Sequence, residues 1–131
     1  MTSNELATNF ARLEAQIAAK KGGFTLYALF LRESAPNRWD LMVSAPWLGP
    51  DSEAAVRYLV DEIKSSLGDE FLVPLSRIIV LDPNDAAVRS LNQAIKVEHG
   101  SVEVRDSSFF GLPIKHAYLI TSQLLGASVS S

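Results

Sequence analysis

The chain has 131 residues, 47% of them apolar, a formal net charge of −3 and no cysteine. That length suits a single domain, 1–131, able to bury about two thirds of its unfolded surface, and the composition excludes a disordered chain. The missing cysteine excludes disulfides and thiolate metal sites and points to a reducing, cytoplasmic setting, while the acidic balance leaves no footprint for nucleic acid.

Met1 to Glu5 lacks the basic start and apolar run of a secretory signal. No apolar run approaches the roughly 20 residues that cross a bilayer, so no membrane association is expected. The first helix announces itself clearly. Thr2 and Glu5 make a capping box, Leu6, Phe10, Leu13 and Ile17 repeat at helical spacing, and Lys20-Lys21 then Gly22-Gly23 mark its end.

Phe24 to Arg32 reads as a strand with apolar residues on both faces. Ser34, Pro36 and Asn37 make a turn. Trp39 to Ala45 returns, so a hairpin is expected. Gly49-Pro50-Asp51-Ser52-Glu53 opens a second helix whose stripe is Val56, Leu59, Val60, Ile63 and Leu67. Leu75 to Leu81 contains Ile78-Ile79-Val80-Leu81, a run typical of a strand buried on both faces. Asp82-Pro83-Asn84-Asp85 then caps a third helix over about 86–95, with Val88, Leu91 and Ile95 inward.

Ser101 to Arg105 and Ile114 to Thr121 read as two further strands, with Phe109-Phe110-Gly111-Leu112-Pro113 as a loop between them. Residues 124–131 carry no pattern and are expected to fray. The order α-β-β-α-β-α-β-β predicts an α/β (α+β) domain. Its mixed sheet has about five strands, with a parallel pair spanning the second helix. Leu59, Ile63, Ile79, Leu81, Leu91 and Leu119 are the expected core.

Phosphate cradles of the G-x-G-x-x-G and G-x-x-x-x-G-K-[ST] kinds are absent, as are G-x-S-x-G and H-E-x-x-H. Without cysteine, and with His99 and His116 far apart in sequence, no metal and no cofactor are expected. Glu98-His99 and His116 are weak candidates for acid–base work, and the pattern favours a non-enzymatic chain.

Two functional readings follow. The first is an interaction module of a bacterial-type cytoplasmic protein that binds itself, as a homodimer, or another protein. Its surface would be the second face of the first strand, Tyr27, Leu29 and Leu31, joined by Trp47 and the Phe109-Phe110 loop, because three helices are expected to be too few to cover both sheet faces. The second is a small-ligand protein or enzyme with a crevice at the carboxyl ends of the strands, using Asp82, Ser44 and His116.

Overall fold

A computed structural model of the chain describes residues 1–124. The expected frayed tail, apart from Leu124, lies outside the described residues. Helix α1 spans Ser3–Lys21 and α2 Ser52–Ser66. Helix α3 spans Ala86–Ala94. The strands are β1 Leu26–Arg32, β2 Trp39–Ser44, β3 Leu75–Val80, β4 Val102–Phe109 and β5 Leu112–Ser122. They form one mixed α+β sheet in the order β3-β2-β1-β5-β4. The β2–β3 pair is parallel, and the other three pairs are antiparallel.

Local chemistry explains the ends of α1. Thr2 Oγ1 accepts the Glu5 amide at 3.1 Å, which satisfies one of the free N-terminal donors. Gly22 closes the helix at φ +118°, a backbone conformation that favours glycine, and a Cβ there would stand a tight 3.3 Å from the Trp47 ring. Asp51 caps α2 through the Ala54 amide. Asp85 caps α3 through the amides of Ala87 and Val88, as the sequence predicts.

The sheet carries two apolar layers. On the first face, Phe10, Leu13 and Ile17 of α1 and Leu59 and Ile63 of α2 pack on Tyr27, Leu29, Leu41, Val43 and Ile120. On the second face, Val88 and Leu91 of α3 pack with Leu26, Ala28, Phe30, Met42 and Leu119. Among the described residues no helix is long and apolar enough to cross a membrane.

Three expectations need correction. The run Ile78-Ile79-Val80 does not lie in a strand covered on both faces. It forms an edge strand, and these residues together with Leu81 are half-buried. Ile79 and Leu81 therefore leave the core, whereas Leu59, Ile63, Leu91 and Leu119 stay in it. The loop around Phe109 is a tight hairpin. Phe109 pairs with Leu112, and Phe110 and Gly111 both take positive φ, the geometry of a two-residue turn that follows sheet twist. Lastly, Tyr27 and Leu29 are not a spare face. Both are fully buried beneath the first-face helices, so neither can form an interface without unfolding the domain. Leu31 packs half-buried at the rim of the same layer.

Candidate functional site: a crevice at the strand ends

Strands β2 and β3 run parallel, and their chains leave in opposite directions. After Ser44 the backbone turns through Pro46–Leu48 and enters α2 on the first face. Past Val80, the Leu81 amide still bonds Val43 O at 2.8 Å, and the chain then enters α3 on the second face. Neighbouring strands whose helices diverge to opposite faces leave a gap at their carboxyl ends, the place where α/β sheets seat ligands. Here that gap is a crevice of about 960 Å³.

Asp82 lines the crevice. Its Oδ1 accepts the Asn84 amide at 2.8 Å, and its carbonyl accepts the Asp85 amide at 3.0 Å. So Asp82 also builds the turn into α3. Leu48, Val80 and Leu81 give the crevice apolar wall, while Arg89 and Asn92 of α3 give polar wall. Arg89 is exposed at the mouth.

Asn92 is the unusual group. It is 1% exposed, and its Nδ2 donates to Thr25 O at 2.8 Å and to Ser122 Oγ at 3.1 Å. Its Oδ1 has no partner. Ser44, fully buried at the end of β2, also has an unpartnered hydroxyl. A buried polar atom left unpaired costs about 1–3 kcal/mol, so such atoms ask for an explanation.

The other named residues lie elsewhere. His116 belongs to β5, pairs with Leu31 and packs at a tilt against Trp39 and Tyr118 on the first face. Its Nε2 lies 2.5 Å from Glu103 Oε2, a hydrogen bond that holds the Glu103 carboxyl below its usual range. Of the three residues expected at this site, Asp82 alone lines the crevice: Ser44 is buried beneath it without lining it, and His116 is carried away because β5 is inserted beside β1, across the sheet from β3. Trp47 plugs the α1–β1 junction. Its Nε1 donates to Gly23 O at 3.1 Å, and its ring meets Phe24 and Tyr58 edge-on. Phe109 stacks on Phe30 with ring centres 4.9 Å apart, and Phe110 lies beside them. That aromatic hairpin folds back on the sheet.

Two clusters were missed by sequence reasoning. Asp40 reads as a solvated residue on an outer strand, yet it is buried and accepts bonds from Arg32 at 2.7 Å and Arg77 at 2.8 Å. His99, adjacent to Glu98 in sequence, finds its nearer carboxylate on α1, at Glu14. Among the described residues, no group of three or more histidine, aspartate or glutamate side chains is arranged to hold a metal ion. No family model matches the chain, and neither a curated protein nor a solved structure is found to be similar to it.

Proposed function

We propose that the chain binds a small polar molecule in the crevice between α2 and α3. One observation carries this reading. A buried asparagine lines a crevice at a strand-end switch point and keeps an acceptor, Oδ1, without a donor. A ligand with an N–H or O–H group would supply that donor once a small turn of the side chain brings the buried Oδ1 to the crevice wall, and an apolar body would suit Leu48, Val80 and Leu81. The reading takes the setting to be cytoplasmic and gives nucleic acid no part.

Benzamide has a ring for the apolar wall and an N–H for Asn92. At millimolar concentration it should shift the backbone amide signals of Leu48, Leu81 and Asn92 as a group. N,N-dimethylbenzamide lacks the donor and should bind several-fold more weakly. Absent or scattered shifts with benzamide, or equal binding by the two compounds, would remove the proposal.

Self-association is the second reading, and one observation keeps it. Among the described residues the second face has a single short helix, which leaves Ile79, Val104, Phe109 and Phe110 half-buried. A second copy of the chain would cover them. That surface replaces the one expected at Tyr27 and Leu29.

A further inference from the structure

Glu14 is a carboxylate with no exposure, set in the apolar stripe of α1 between Leu13 and Ile17. Charged groups are almost never fully buried unless paired. Its partners come from far along the chain. Oε1 lies 2.7 Å from His99 Nδ1, and Oε2 accepts the Thr121 hydroxyl at 2.8 Å. The same Thr121 oxygen accepts the His99 backbone amide at 3.1 Å, so His99 is held at both ring and backbone. Its backbone sits at φ +51°, a region that non-glycine residues seldom adopt and that persists when surrounding contacts impose it.

His99 belongs to the connection from α3 to β4. Among the described residues that segment's other ties are hydrogen bonds to the end of β5 and Gln123, by Val97 with Ser122 in both directions, by the Gly100 amide to Ile120 O and by the Gln123 side chain to Glu98, and the packing of Ile95 and Val97 on the second-face core. The Glu14–His99 contact is the link from this connection to α1. We propose that it is a pH-sensitive latch, closed when His99 carries a proton on both ring nitrogens and loosened when His99 is neutral.

The groups facing His99 favour the charged ring. Glu14 approaches from α1, and Glu98 of the same connection places Oε2 3.7 Å from Nε2. Glu98 is itself held by the Gln123 side chain at 3.2 Å. Thr121 on β5 offers a hydroxyl and no charge. Tyr27 of β1 is buried behind Glu14, and burial first, then the Glu14 charge, pushes its phenol well above its ordinary range, so it stays neutral. The hydrogen bond to Glu14 is the largest cause raising the His99 pKa, and partial desolvation opposes it. The His99 side chain is 43% exposed, so protons reach it without any opening of the fold. Once the ring is neutral, Nδ1–H can still bond Glu14, but the buried carboxylate has lost its counter-charge.

The chain has two histidines, so imidazole nitrogen signals followed by NMR against pH report both separately. The His99 midpoint should lie above that of a free imidazole. Glu14→Gln should lower it by about one pH unit, a tenfold loss of proton affinity. In the unaltered chain, hydrogen-exchange protection of the Val97 and Gly100 amides, corrected for intrinsic rate, should fall several-fold between pH 6 and pH 8.5. His99→Asn suits the left-handed backbone and should abolish that fall. A midpoint at or below the free value, one unmoved by Glu14→Gln, or protection that ignores pH in the unaltered chain would overturn the latch. The last measurement needs no variant to fold.

Discussion

The two faces of the sheet are built from similar apolar residues but covered to different depths. The first carries α1 and α2, of 19 and 15 residues, and its layer is sealed. The second carries α3, of 9 residues. At 1.5 Å per residue, α1 reaches about 28 Å along the sheet and α3 about 14 Å. The rest of the second face is shielded by its own strands' ends, with Phe109 and Phe110 folded over Phe30. Fully buried apolar side chains are thus concentrated on one side, and the crevice opens at the strand ends between the two. The short helix serves both ends: Val88 and Leu91 face the core, while Arg89 and Asn92 face the crevice.

The comparison breaks first at the sealed face. Phe10 is fully buried and meets Phe71 edge-on. Phe10→Ala should cost about 3–5 kcal/mol in urea denaturation, the range for removing a buried ring. A cost under about 1 kcal/mol would mean that α1 does not seal this face.

Ile79→Ala sharpens the contrast. A fully buried position would lose about 2–5 kcal/mol, but Ile79 is half-buried on an edge strand and should lose about 1–1.5 kcal/mol. The same measurement reads self-association. If the loss approaches that of Leu59→Ala, or grows with protein concentration, a second copy covers the second face in solution.

Periodic features were readable. Leu6, Phe10, Leu13 and Ile17 define α1, and cap residues fixed the starts of α1, α2 and α3 to within a residue or two. At the crevice, the turn residues Asp82 to Asp85 were readable, with Asp82 two places past the end of β3. Features that depend on strand order were not. A run such as Ile78-Ile79-Val80 reports apolarity but not how many strands flank it. The position of β5 beside β1, which takes His116 away from Asp82, has no local signal. Phe110 at positive φ hid the turn, because turn chemistry usually places asparagine or glycine there. Glu14 looks like a solvent-facing helix residue until a partner 85 positions away arrives, and Asn92 meets Thr25 across 67.

The smallest expected effects come from the two carboxylate–histidine pairs, and they act at opposite ends of the pH scale. His99 has its pKa raised in the folded chain, first by the bond to Glu14. Its contribution is complete below the unfolded imidazole value of about 6.5 and is lost as pH rises through the folded value. Glu103 has its pKa lowered, first by the bond to His116 and further by the charge of Arg105. Its contribution is present above the unfolded carboxyl value of about 4.3 and is lost as pH falls through the folded one. Both side chains are 43% exposed, so solvent screening keeps each effect small, a shift of a few degrees in Tm at most. Melting curves from pH 3 to pH 9 should show two shallow declines. His99→Asn should flatten the one above pH 6.5 and leave the acid limb alone. Glu103→Gln should flatten the acid limb and leave the other. If one substitution removed both declines, the pairs would be coupled through β5, which carries both His116 and Thr121. They would then count as one network rather than two independent clasps.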